Sequence, residues 1–162
     1  MRRLAFVLLL ALALSACGGG NAPRPATAAP EEAVARSGDL TIRATAVPTS
    51  TLAAAVADRY GIARGDRTVL LLVGVRRGEA GQEVAVPAKI TATATNLSGQ
   101  RQAIALRELR SGDPTSGSGA ELLDYIGTLD TDLPDTLRFE LMVVPEGGTA
   151  TPLQFSREFY RQ

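Results

Sequence analysis

The chain has 162 residues, with 17 basic and 17 acidic side chains, no histidine, no tryptophan and a single cysteine. Without histidine, neither a Ser-His-Asp or Cys-His nucleophilic system nor a histidine-based zinc or copper site can be assembled. One cysteine allows no intrachain disulfide and no basic patch supports nucleic-acid binding, so burial of apolar side chains must stabilise the domain.

The chain opens Met1-Arg2-Arg3, continues as an apolar run from Leu4 to Leu14, and reaches Leu14-Ser15-Ala16-Cys17. A run of this length is too short to span a bilayer comfortably, and the cationic start and small-residue exit mark an export signal. The pattern resembles a bacterial lipoprotein signal. The resemblance implies cleavage before Cys17, diacylglycerol on its sulfur and an acyl group on the new amino terminus. At ~0.8 kcal/mol per buried CH₂, several such chains hold a protein firmly on a membrane. The alternative is an ordinary secretory signal that ends at a free thiol. Removing residues 1–16 from 162 leaves 146, and losing Arg2 and Arg3 gives the remainder a net charge of −2.

Residues 18–37 are rich in Gly, Ala and Pro without a usable apolar face, and read as a flexible tether. The expected organisation is a signal over 1–16, a lipidated cysteine with tether over 17–37, and one domain over 38–162.

From Leu40 onward the chain alternates with a period of two. Leu40, Ile42, Ala44 and Ala46 share one face of a first strand. Leu52 to Tyr60 interrupts the pattern: it is alanine-rich, preceded by Thr49-Ser50-Thr51 and followed by Gly61. Those flanks suit an N-cap and an αL C-cap, and Leu52, Val56 and Tyr60 would line one face of a two-turn helix over an end or open edge of the sheets. Val69 to Val75 is almost continuously apolar, as for a central strand covered on both faces. Ile90, Ala92 and Ala94 alternate with threonines; after the turn chemistry of Asn96 to Gln100, Ile104 and Leu106 alternate within a partner strand. Asn96-Leu97-Ser98 also matches a glycosylation sequon, but reads as a turn.

Ser111 to Gly119 is Gly/Ser-rich and reads as a flexible loop, since neither the helix nor the lysine of a phosphate cradle follows it. Leu122 to Leu129 is a strand interrupted by Gly127. Leu137, Phe139, Leu141 and Val143 give the clearest alternation, and Leu153, Phe155 and Phe159 share a face of the last strand, with Arg157 placed awkwardly between them. Seven strands and one short helix between the first two predict an all-β, immunoglobulin-like sandwich. A small barrel is the alternative architecture.

Several segments resemble a bacterial family, domain of unknown function 4426. The carrying residues are Gly38-Asp39-Leu40, Tyr60-Gly61-Ile62-Ala63-Arg64, Ala94 to Gln100, Arg107-Glu108-Leu109-Arg110, Thr136-Leu137-Arg138-Phe139, Pro145-Glu146-Gly147-Gly148 and Phe159-Tyr160. The resemblance runs from about Gly38 to Tyr160 and implies an exported immunoglobulin-like sandwich, with no catalytic residue supplied. This sequence departs from the family pattern in its slim Leu40 and Ala44 and in the lengthened loop from Ser111.

Three groups could bear chemistry. Asp130, Asp132 and Asp135 put three carboxylates in one turn, a candidate cation loop; it lacks the glycine and bidentate glutamate of an EF-hand, and Pro134 suits a plain hairpin turn. Tyr60 and Arg64 flank a glycine cap and could rim a ligand pocket; the bland reading is a tyrosine plugging the sandwich end, with Arg64 paired locally. Arg107, Glu108, Arg110, Arg138, Glu140, Arg157 and Glu158 could make cross-strand ion pairs that keep sheet edges soluble and in register.

The expectation is therefore a noncatalytic lipoprotein anchored through Cys17. Gly18, not aspartate, follows that cysteine, which places it on the periplasmic side of an outer membrane. An envelope protein is its expected partner, with no cofactor, no metal and no nucleic acid. A periplasmic carrier of a small ligand or metal ion is the competing reading.

Overall fold

The computed structural model describes residues 31–111 and 122–161. Strands β1 (Ala33–Ser37) and β2 (Leu40–Pro48) lead into a 3-10 turn (Thr49–Thr51) and helix α1 (Ala54–Arg59). Then come β3 (Thr68–Arg77), β4 (Val84–Ala85), β5 (Ala88–Thr95), β6 (Arg101–Ile104), β7 (Arg107–Ser111), β8 (Leu122–Asp130), β9 (Asp135–Pro145) and β10 (Thr151–Phe159). The first sheet has the order β1-β2-β3-β8-β7, with β4 alongside β3; the second has the order β10-β9-β5-β6. The expected all-β sandwich is the observed architecture.

The core follows from the alternation. Ile42, Ala44 and Ala46 of β2, Val69, Leu71, Val73 and Val75 of β3, and Leu137, Phe139, Leu141 and Val143 of β9 are buried in one cluster between the sheets. Phe139 stacks on Phe155 with ring centroids 4.8 Å apart. Tyr125 spans the layers: its hydroxyl accepts a hydrogen bond from the Ala88 amide at 2.7 Å. The β5–β6 hairpin forms as expected, Thr95 pairing with Arg101.

Three sequence expectations about strands are corrected. Residues 33–37 belong to no tether: they form β1, paired antiparallel with β2 from Ala33↔Ala44 to Ser37↔Leu40. Gly38 at φ 62° makes the two-residue turn that brings β1 back. Ala33 and Ala35 pack on the core while Val34 and Arg36 stay exposed, so this strand's apolar face is too slight to show in the sequence. With β1 outside it, β2 is no edge, and its slim Leu40 and Ala44 are fully covered. The expected strand through Ile104 and Leu106 is two strands in two sheets, because the chain crosses the sandwich at Ala105 and Leu106. The turn between Asp130 and Asp135 is likewise no hairpin but a crossing from the first sheet to the second. With the two-residue β4, the count is ten strands rather than seven.

Gly127 explains its own presence at that first crossing. A Cβ there would stand 2.6 Å from the Ala105 carbonyl oxygen and 2.9 Å from the Ile104 side chain. The residue read as a strand interruption is the one that lets the crossover pass.

The helix is shorter than expected and packs elsewhere. Leu52 and Ala53 are extended, so α1 begins at Ala54 and Leu52 is not part of it. No side chain caps its start. Its buried residue is Ala57, small enough for close approach, while Val56 is 43% exposed. Ala57 and Ile62 cover Leu70 and Ile126 on the outer face of the first sheet, a second small core that accounts for burial on both faces of β3 near Leu70. The expected cap does form: Gly61 has φ 62°, its amide donates to the Asp58 carbonyl, and the Ile62 amide donates to the Ala57 carbonyl. Buried Thr49 ties the insertion down, its hydroxyl accepting from the Gly65 amide at 2.9 Å and donating to the Gly65 carbonyl at 3.2 Å.

Candidate functional site

A cleft of about 1200 Å³ opens at one end of the sandwich, between the β6 edge of the second sheet and the end of β8 in the first. Its floor is Ala94, Leu129, Leu133 and Leu137; Gln102 and the 96–100 and 130–132 loops form its walls. Register explains why it is open. Gln102 lies opposite Ala94 and Ile104 opposite Ala92, so Gln102 and Ile104 point inward. Ile104 is buried, but Gln102 is exposed and lines the cleft.

The rim is electrically balanced, with three arginines (67, 101 and 161) and three aspartates (66, 130 and 132). Arg67 and Asp132 pair at 3.4 Å with both side chains largely in water, a contact worth ~1 kcal/mol at most. Arg101 lies on the outer face, donating to Thr93 and Glu140. Arg161 donates from Nε to the Leu133 carbonyl at 2.8 Å.

The carboxylates of the candidate cation turn serve different partners. Asp130 accepts from the Thr68 hydroxyl at 2.8 Å, and Asp132 pairs with Arg67. Asp135 accepts from the Leu97 and Thr136 amides through Oδ1 and from the Thr131 hydroxyl through Oδ2. Its role is to join the 96–100 loop to the inter-sheet crossing. Among the described residues, no group of three or more acidic or cysteine side chains is close enough to hold a metal ion. Asp130 and Asp132 line the cleft, while Asp135 does not.

Tyr60 and Arg64 likewise serve different partners. Arg64 donates to the Ser50 carbonyl at 2.8 Å. Tyr60 is half-buried against the small outer core, and its carbonyl accepts from Arg107.

Among the described residues the charged strands carry pairs both within a strand and between strands. Glu108–Arg110 and Arg138–Glu140 are neighbours on their own strands, at 2.9 and 3.5 Å. Glu140 also reaches Arg101 on β6, and Arg157 reaches Glu31, just ahead of β1, at 3.7 Å. The strongest ionic grouping went unnoticed in the sequence. On the outer face of the first sheet Arg43 forks onto Glu83 at 3.0 and 3.1 Å, and Arg76 pairs with Asp124 beside Gly74. The hydrogen bond from Arg43 holds the Glu83 carboxyl below its ordinary value and raises the guanidinium in return. Tyr160, hydrogen-bonded to the Glu158 carboxylate, is pushed up.

The sequence reading did not single out Ala94 and Gln102 as site residues. The available signal was Gln102, a polar residue at the same parity as inward-facing Ile104. Cys17 and residues 112–121, with the Gly117-Ser118-Gly119 loop, lie outside the described residues.

The family model described as Domain of unknown function (DUF4426) matches residues 34–162. The chain belongs to the DUF4426 family. The matched span starts inside β1, in agreement with that strand being part of the domain. A crystal structure of a DUF4426 family protein from Pseudomonas aeruginosa PAO1 is similar in fold, with a TM-score of 0.60 at 24% identity over 81% of this chain and 96% of that one. A search of curated proteins found no match.

Proposed function

We propose that this DUF4426 protein is a noncatalytic, membrane-anchored lipoprotein of the bacterial envelope whose sandwich is an interaction module. The observation that carries the reading is the order of parts: a lipobox-like run ending at Cys17, a Gly/Ala/Pro-rich spacer, and a sandwich that begins at Ala33. The spacer is residues 18–32, which at ~3.3–3.6 Å per residue spans at most about 50 Å. That length keeps the domain close to the leaflet holding the lipid. A sequence without histidine, and with no thiol beyond Cys17, argues against common hydrolytic machinery.

Gly18 in place of aspartate favours the outer membrane, with the sandwich on its periplasmic side. The carrier reading draws on the cleft volume alone, because Asp130, Asp132 and Asp135 face different partners.

Envelope fractionation of the native chain and of Cys17→Ser tests the anchor. The native chain is expected with the outer membrane, and the variant as an unprocessed or released form. Normal anchoring of Cys17→Ser overturns the reading, as does recovery of the native chain with the inner membrane for the outer-membrane assignment. Protease digestion of the domain on unbroken cells would overturn the periplasmic side. Any turnover abolished by a single substitution would overturn the noncatalytic part.

A further inference from the structure

The cleft lies between two strand edges that have no partner among the described residues. β6 is the last strand of its sheet, so its outer edge is unpaired over Arg101–Ile104. In the first sheet β7 pairs with β8 only through Ile126, which leaves one side of Thr128–Asp130 unpaired. Backbone amides and carbonyls on such an edge are directional groups available to an incoming strand.

Other edges of this molecule are guarded. β7 carries Arg107, Glu108 and Arg110, and β10 carries Pro152 with β1 packed beside it. β6 has no proline and no lysine, and its one charge, Arg101, is held on the outer face by Glu140. Charge, proline and cover are the usual defences against strand addition, and over Gln102–Ile104 β6 shows none of them.

The space beside this edge is lined for side chains. Ala94 on β5 is the small inward residue of this lining, and the Gln102 side chain opposite it makes no hydrogen bond among the described residues. The floor is apolar, and the rim has equal numbers of arginines and aspartates. That balance is complementary to a segment without net charge, and offers nothing specific to a polyanion or polycation.

We propose that the cleft binds an extended, uncharged segment of another polypeptide, which adds to the free edge of β6 as a fifth strand and sends alternate apolar side chains in over Ala94. Main-chain hydrogen bonds would supply affinity, and the depth of the slot would select for alternating apolar residues. The inference rests on reading the protein as an interaction module and names the chemistry of its partner.

The test uses the full chain in detergent micelles, isotopically labelled for amide NMR. The probes are the blocked hexapeptide acetyl-(Thr-Val)₃-amide and the same peptide N-methylated at alternate amides. Expected are shift changes confined to Arg101–Ile104 and Gly127–Thr131, and at least about tenfold weaker binding by the N-methylated probe, because it cannot complete the ladder. Ala94→Phe, which fills the floor, should weaken the unmodified probe by a similar factor.

No binding at millimolar probe, shifts centred elsewhere, or equal binding of the two probes would overturn the proposal. The probe comparison decides even if Ala94→Phe fails to fold. Concentration-dependent self-association that protects Arg101–Ile104 would assign the edge to a second copy and also overturn it. Fractionation of Cys17→Ser is independent, so a failed slot leaves the anchored module standing, and a failed anchor leaves the slot standing.

Discussion

The two flanks of this sandwich enclose the same inter-sheet space and treat it in opposite ways. On the β1/β10 flank, Phe139 and Phe155 stack and β1 covers the edge. On the β6/β8 flank, Ala94 and Gln102 stand where large apolar side chains would close the layers, and a cleft results. A core of uniform packing needs every inward position filled. Leaving one flank thin lowers the apolar burial there, and that flank holds two strand edges unpaired among the described residues.

Substitutions can break or sharpen this contrast. The largest effect is expected on the filled flank: Phe139→Ala removes a fully buried ring and its stack on Phe155, and should cost ~3–5 kcal/mol in urea unfolding. A loss below ~1 kcal/mol would mean the Phe139–Phe155 side is not the packed one.

Next comes Gly127→Val, where the new Cβ meets backbone 2.6 Å away; ~1–3 kcal/mol should be lost through overpacking at the crossover. Wild-type stability there would show that Ala105 can move aside. Thr49→Val leaves the Gly65 amide without its buried partner and should cost ~1–3 kcal/mol, measured the same way.

On the open flank the expected change is small. Gln102→Leu places an apolar side chain over an apolar floor and should alter stability by less than ~1 kcal/mol, in either direction. A loss of several kcal/mol would contradict the cleft.

The smallest effect is ionic. Glu83 has its carboxyl lowered from 4.5 by the Arg43 hydrogen bond. Its stabilising contribution is therefore complete above that ordinary value and is lost as pH falls through the lower folded-state value. The melting temperature of Arg43→Gln should converge with that of the native chain at acid pH and lie below it at neutral pH. Parallel curves across the range would remove the pair from the account.

Much of the filled flank was legible, since the alternation of Leu137, Phe139, Leu141 and Val143 predicts a strand face wherever the partner lies. The cap at Gly61 was legible for the same local reason, a glycine ending an alanine-rich helix. β1 was not, because Ala33 and Ala35 pack without an apolar signature; Gly38-Asp39 between two alternating runs was the available turn signal. The cleft was not legible either. It depends on Ala94 lying opposite Gln102 in the β5–β6 hairpin, and on Leu129 and Leu133 reaching the same end from the other side. The first pairing is local, but its consequence shows only once the hairpin register is fixed, and the second joins residues remote in sequence. The carboxylates near Asp130 looked like one group because sequence proximity conceals that the chain is changing sheets there.

The most direct test of the difference between the flanks is native-state amide hydrogen exchange on the free protein. Amides along β9 and β10 should exchange only through large-scale opening. Along β6, those on the outer edge should exchange orders of magnitude faster than those bonded to β5. Uniform, β9-like protection of Arg101–Ile104 would mean that edge is already covered, and would contradict the account.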